Sequence, residues 1–348
     1  MIHNNVLKRA STFILLLVVL LASAILGIGI GAISIPPSET VRILFSHIPG
    51  INNFLTAGWQ PEYATIIITM RFPRVVLAAL VGAGLALAGA VFQGLFRNPM
   101  ADPYVIGVSS GAALGAVSNI LLQSIVNIPM HYGIPAFAFI FAVMTILLVY
   151  NLARVGGKAP VMNLILAGVA VSSVISALVS MCMFFSGNQL HQVVFWLMGG
   201  FSGRGIDYVY MFIPYGVVGT TIIFIYAREL NAMLLGEEPA QHLGVEVERV
   251  KRRLLIAAAL LTGACVAVSG MIGFVGLIIP HIVRMIFGPD HRTLLPAVAL
   301  IGASFLLIAD VLARVIIAPG ELPVGIVTAL VGGPFFIYLL RRQKSDMF

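Results

Sequence analysis

Apolar runs of membrane-spanning or near-spanning length, separated by short polar breaks, account for most of the chain. They fall at 11–33, 74–96, 103–125, 134–153, 161–185, 207–227, 253–271, 273–287, 294–317 and 324–340. A hydrocarbon core about 30 Å thick is crossed by roughly 20 apolar residues in a helix. Each run therefore predicts a transmembrane helix, the eighth being short and marked by Gly and Pro. Ten helices put both termini on the same side of the membrane. The first run follows Lys8 and Arg9 and contains Ala22-Ser23-Ala24, which resembles a signal-peptidase site. Because its apolar stretch continues to Ile33, long enough to span, it predicts a retained helix rather than a cleaved leader.

Composition agrees with this pattern. Hydrophobic residues make up 60% of the chain and charged ones 9%, with a mean hydropathy of +1.05, whereas soluble domains carry roughly 25% charged residues. A net charge of +7 would point a soluble chain toward nucleic acid; here it follows the bias of Lys and Arg toward the cytoplasmic side. With the termini inside, fifteen of the 20 basic residues fall on inner segments, and only Arg42, Arg71, Arg74, Arg204 and Arg314 fall outside. Cys182 and Cys265 stand alone in apolar runs, which excludes a disulfide framework and predicts two small core residues.

One polar interruption is long. Residues 228–253 hold ten of the charged side chains, out of 20 basic and 13 acidic in the whole chain. Within it, Gly236-Glu237-Glu238-Pro239-Ala240 followed by Gln241-His242-Leu243-Gly244 reads as two very short helices. Gly236 ends the first, the Glu pair and Pro open the second at its positive end, and Gly244 closes it. A structured polar surface kept in water beside so much lipid-facing sequence predicts a soluble partner docked there.

A shift of 181 positions superposes Leu80, Gly82, Ala83, Ala86, Gly89 and Pro99 on Leu261, Gly263, Ala264, Ala267, Gly270 and Pro280. The second helix runs inward and the seventh outward, so the two halves form an inverted repeat, helices two to five against seven to ten. Gly107, Gly111 and Gly115 recur every four residues and predict close helix packing. Asp102 before Pro103 predicts a helix cap with proline at the first position.

Bond-making chemistry finds no footing. No phosphate loop of the form G-x-x-x-x-G-K-[ST] occurs, the fragment Gly156-Gly157-Lys158 lacking the first glycine and the hydroxyl residue. There is no H-E-x-x-H helix and no Cys/His cluster with metal spacing. An ion-coupled carrier needs carboxylates or histidines near mid-membrane. Only Asp310 lies well inside an apolar run, with Arg314 one turn further on, so a structural ion pair is the better reading than a proton site. Secondary transport is the weaker alternative.

The whole chain resembles the permease subunits of type II ABC importers, the FecCD family, which carry ferric siderophores, haem or cobalamin. The stretches that carry the resemblance include Arg71-Phe72-Pro73-Arg74, Arg97-Asn98-Pro99-Met100-Ala101-Asp102-Pro103 and Phe195-Trp196-Leu197-Met198-Gly199-Gly200-Phe201. Gly273 through Arg284, Ala309-Asp310-Val311-Leu312-Ala313-Arg314 and Glu321-Leu322-Pro323-Val324-Gly325 continue it, in order, from about residue 60 to the C-terminus. The resemblance implies an all-α permease domain spanning residues 1–348 in the bacterial inner membrane, working as a dimer. Two ATPases would sit below, where ATP and Mg²⁺ act, and a substrate-binding protein above; this chain itself would bind no cofactor or metal and would not be an enzyme. It further implies that Arg71, Arg74 and Arg314 dock the binding protein. Gly236, Glu237, Glu238, Ala240, Leu243 and Gly244 would couple to the ATPase, within the region 228–253. Asn98, Met100, Val161 and Met162 would form the cytoplasmic gate, and Met181, Met183, Phe184 and Phe185 would line the pathway. An iron chelate is the expected cargo, with haem and cobalamin as alternatives.

Overall fold

The computed structural model describes residues 2–31, 33–47, 58–126, 130 and 132–345. Among these the chain is built from helices: α1 (Ile2–Gly29), α2 (Pro37–Ser46), α3 (Pro61–Thr65), α4 (Phe72–Phe96), α5 (Val108–Val126), α6 (Gly133–Ala153), α7 (Val161–Phe184) and α8 (Leu190–Met198). They continue with α9 (Ile206–Ile225), α10 (Ala227–Leu234), α11 (Glu237–His242), α12 (Val247–Ser269), α13 (Val275–Phe287), α14 (His291–Val315) and α15 (Val324–Ser345). Eight spans are long and apolar enough to cross a membrane, and two shorter apolar helices, Val275–Phe287 and Val324–Leu339, complete the ten.

The boundaries differ from the apolar runs for physical reasons. The second span begins at Pro61 and passes through a π-helical stretch, Ile66–Arg71, into α4; Glu62 and Arg71 hid this beginning because charge ends an apolar run without ending a helix. The seventh starts at Val247 rather than 253, since Glu248, Arg249, Lys251 and Arg252 carry charge but favour helix. The third opens with a 3₁₀ turn, Pro103–Ile106, capped by the Asp102 carboxylate on the Tyr104 N–H at 2.7 Å, before α5 starts. The first ends at Gly29, short of the expected 33, and residue 32 lies outside the described residues.

Helices α4 and α12 form the centre, with 78% of each spanning window buried, against 28–33% for α6, α7 and α9. A helix apolar on every face belongs inside. The packing is reciprocal: α4 of the first half lies on α13 and α14 of the second, while α12 lies on α5 and α6 of the first. Arg74 near the start of α4 and Ser269 at the end of α12 line one cavity, so the two central helices run in opposite directions, as an inverted repeat requires.

Small residues make this closeness possible. A Cβ on Gly89 would stand 1.9 Å from the Gly276 carbonyl oxygen, and one on Gly82 2.3 Å from that of Gly302. At Gly111 and Gly115 the same construction meets the carbonyls of Phe141 at 2.7 Å and Phe137 at 2.3 Å. The four-residue glycine spacing therefore serves the α5–α6 contact, where backbones meet without intervening side chains.

Candidate functional site

The charged segment folds into a small platform at one end of the bundle. Gly236, at φ +124°, turns the chain from α10 into α11, and Gly244, at φ +86°, closes α11. Ala240 is fully buried beneath the turn, while Glu238, Pro239, Gln241, His242, Leu243 and Gly244 are exposed. Leu243 is 65% exposed, an apolar side chain presented at the tip of a polar knob.

Lys251, only 1% exposed, anchors this knob. Its ammonium pairs with Glu237 at 2.8 Å and Glu248 at 2.9 Å, and donates to the Ala159 carbonyl at 3.3 Å. Glu248 in turn accepts from the Ala159 N–H at 3.3 Å. Ala159 precedes Pro160, the N-terminal cap of α7, so the platform is tied directly to the segment carrying Val161 and Met162. On its other side, Arg97 comes within 3.6 Å of the position a Cβ on Gly236 would take, beside Asn98 and Met100. The Asn98 carbonyl oxygen of the side chain accepts from the Met100 N–H at 2.9 Å, fixing that loop. Both expected gate segments thus adjoin the platform. A third tie joins α10 to α14: Asn231 donates to Asp290 at 2.6 Å and accepts from the His291 N–H at 2.8 Å.

The opposite end holds the three arginines. The sequence places them on an open rim; the structure buries them, at 8% exposure for Arg71 and Arg74 and 5% for Arg314. The reason lies in what they satisfy. The last carbonyls of a helix have no partner within it, and those of α1 are met by guanidinium groups. Arg71 donates to Ile28 at 2.9 Å, to Gly29 at 2.8 Å and to Ile33; Arg314 donates to Gly27 and Ile30, both at 2.8 Å. Positive charge at a helix C-terminus also complements its dipole. Arg74 instead joins two carboxylates: Asp310 accepts from Nη2 at 2.8 Å and Nε at 3.0 Å, and Glu321 accepts from Nη1 at 2.9 Å. Arg314 pairs with Asp310 from the other side at 3.1 Å, the i,i+4 pair the sequence implied. Glu321 and Lys251 received no role from sequence reasoning. Charged residues next to a matched motif, or inside a spanning helix, were the signal that could have found them.

The expected pathway residues lie at the end of α7. Met181, Phe184 and Phe185 are 53%, 83% and 71% exposed and Met183 is half-buried. Along the same helix Leu164, Gly168, Val171, Ile175 and Val179 are buried, and the opposite face exposes Ser173, Ser176 and Ser180. The hydroxyls of Ser173 and Ser180 donate to the carbonyls of Val169 and Ser176, both at 2.9 Å, and Leu166, Val169 and Val174 are exposed along the same helix.

Ten apolar helices with a reciprocal two-half core, and a polar platform tied to both loops expected to form the gate, describe a polytopic membrane protein. The chain belongs to the FecCD transport family, whose description matches residues 16–342. It is 45% identical over 343 residues to an ABC transporter permease of Bacillus subtilis, YvrB, covering 98% of this chain and 96% of that one. To the cobalamin import permease BtuC of Halobacterium salinarum it is 50% identical over 285 residues, covering 82% and 76%. The hemin transport permease HmuU of Yersinia pestis is 43% identical over 286 residues, covering 81% and 84%. Among solved structures, an ABC transporter assigned to the metal-chelate type, in an inward-facing conformation, superposes with a TM-score of 0.81 at 32% identity, covering 96% of this chain and 99% of that one. This protein is accordingly a permease of a type II ABC importer for metal chelates, haem or cobalamin.

Proposed function

We propose that two copies of this chain form the membrane pathway of an ATP-driven importer whose cargo is a bulky ferric chelate. The platform around Glu238 to Gly244 docks on a separate ATPase in the cytoplasm, where ATP and Mg²⁺ act. The end shaped by Arg71, Arg74 and Arg314 receives an extracytoplasmic binding protein, and the exposed face of α7, ending in Met181, Met183, Phe184 and Phe185, lines the lumen opposite the second copy. The observation that carries this reading is the contact of Lys251 with Glu237, Glu248 and Ala159. It links an exposed knob to the start of α7, so displacement of the knob moves Val161 and Met162, and its neighbour Arg97 moves Asn98 and Met100. An apolar constriction of this kind closes a pathway by excluding water.

Ion-coupled transport is disfavoured by Asp310. Its carboxylate is fully buried between Arg74 and Arg314 and bonded to both, so it is occupied in a structural contact rather than open to a passing ion. The test is uptake in proteoliposomes. With the ATPase and binding protein present, accumulation of ferric chelate should require ATP; with this chain alone, a proton or sodium gradient should drive none. Gradient-driven uptake without ATPase would replace the proposal with a secondary carrier. A ferric chelate should be taken up in preference to haem and cobalamin.

A further inference from the structure

The two halves of the chain meet backbone to backbone around a cavity near Arg74. A Cβ on Gly199 would stand 2.3 Å from the Met271 carbonyl oxygen, and one on Gly270 2.3 Å from that of Trp196. One on Gly325 would stand 2.1 Å from the Met198 carbonyl oxygen. The end of α8, the end of α12 and the start of α15 are thereby locked together, and Gly200 N–H donates to the Ser269 carbonyl at 2.7 Å. The half-open cavity beside them measures about 390 Å³, within the usual range of small-molecule sites, about 300–1,000 Å³. Phe195, Trp196, Phe201 and Tyr208 give it an aromatic wall, Gln192 and Arg204 add polar groups, and the paired Arg74 and Glu321 complete the charged lining.

Two donors in this wall lack an acceptor. Trp196 is 6% exposed and its indole Nε1–H makes no hydrogen bond; the Nε of Arg204 is likewise buried and unpartnered. An indole nitrogen can only donate, and a buried donor without an acceptor forfeits the hydration it had in water. Arg204 is held in place by lying over the Tyr208 ring, 4.5 Å from its centroid. Nearby Arg74 has its charge answered by Asp310 and Glu321, whereas no carboxylate among the described residues pairs with Arg204. The cavity therefore sets a cation with no carboxylate partner among the described residues, and a buried neutral donor in its wall, beside the Arg74–Glu321 pair and an aromatic surface.

The geometry points to a subsite for a carboxylate arm of the cargo, held by Trp196 Nε1–H and Arg204, with Gln192 flanking it. This rests on the permease reading above and narrows it: the chelates preferred carry free carboxylates and net negative charge, as hydroxycarboxylate complexes do, and neutral hydroxamate complexes lack the group the site takes. Charge-assisted bonds from a guanidinium to a carboxylate are about twice as strong as neutral ones, so Arg204 carries most of the selection and Trp196 orients the arm.

The chain contains two tryptophans, so Trp59→Phe leaves Trp196 as the only indole, reporting from inside the site. The full chain carrying this change, in lipid nanodiscs, is titrated with gallium(III) citrate and with a neutral gallium(III) trihydroxamate, neither of which absorbs as the iron complexes do. Citrate should change Trp196 emission saturably and the hydroxamate should not; Arg204→Gln and, separately, Gln192→Leu should weaken the citrate response, the first at least tenfold. An unchanged emission with citrate, an equal response to the hydroxamate, or an Arg204→Gln titration matching its parent would overturn the proposal. The titration contains no ATPase, binding protein or ATP, so its failure leaves the importer reading standing, and loss of ATP-driven uptake would leave this site standing.

Discussion

Arg74 and Asp310, 236 residues apart in the chain, share a buried ion pair in which two nitrogens of one guanidinium meet one carboxylate at 2.8 Å and 3.0 Å. The pair joins the first residues of α4 to the last turns of α14, and Arg314 and Glu321 complete it. Breaking such a pair from one side strands a charge and costs about 3–5 kcal/mol. Arg74→Gln and Asp310→Asn should each lower the melting temperature of the purified protein markedly. The double variant should recover part of the loss, and additive losses would show that the two side chains do not depend on each other.

Close backbone contact makes a second prediction. With 1.9 Å between a Cβ on Gly89 and the Gly276 oxygen, Gly89→Ala must push α4 away from α13. Overpacking of this kind costs typically 1–3 kcal/mol. Gly58→Ala, where nothing lies within 4 Å, should leave stability within about 0.5 kcal/mol of the parent. Thermal melts of the two variants side by side check this.

Asp290 caps α14 outside the membrane-spanning helices. Hydrogen bonds from the Arg292 side chain, then from Asn231 and the Arg292 N–H, outweigh its burial and lower its carboxyl to about 2 from an ordinary 3.8. A carboxylate lowered in the folded state stabilises fully above its unfolded value, and that contribution fades as pH falls through the folded one. The protein should therefore lose stability between about pH 4 and pH 2, and Asp290→Asn should be less stable at neutral pH but flatter across that window. Melting curves from pH 2 to pH 6 would show the difference.

The platform separates binding from transmission. Leu243→Glu changes an exposed tip and should abolish association with the ATPase while leaving the chain's own melting temperature in place. Lys251→Met leaves that tip intact but removes the tie among Glu237, Glu248 and Ala159, so the ATPase should still bind while transport falls. Pull-down with the ATPase and uptake, measured on the same preparations, distinguish the two effects. Loss of both together in Lys251→Met would argue that the lysine supports the docking surface rather than the link.

The arrangement of spans was legible because hydropathy is local. A run such as 134–153 announces a helix by its own residues, and it reappears as Gly133–Ala153. The two short helices of the platform were equally readable, since Gly236, Pro239 and Gly244 act on their immediate neighbours. Partnerships were legible only within a turn. Asp310 and Arg314, four residues apart, revealed their pairing, whereas Arg74 gave no hint of Asp310 or Glu321, and Arg71 none of the α1 carbonyls. Those contacts depend on how α1, α4 and α14 pack. For the same reason an outer-side arginine looked open to a partner when its donors were already taken. Trp196 and Arg204 stayed silent too: each is unexceptional in sequence, and their missing acceptors emerge only once α8, α12 and α15 close around one cavity.

The central claim is that the platform faces the cytoplasm and bears on an ATPase. In a background with Cys182 and Cys265 replaced, Leu243→Cys supplies a lone exposed thiol for a membrane-impermeant maleimide. The account predicts no labelling in intact cells, full labelling after the membrane is opened, and protection when the ATPase is bound. Labelling from outside in intact cells would contradict it, because no cytoplasmic motor could then reach residue 243.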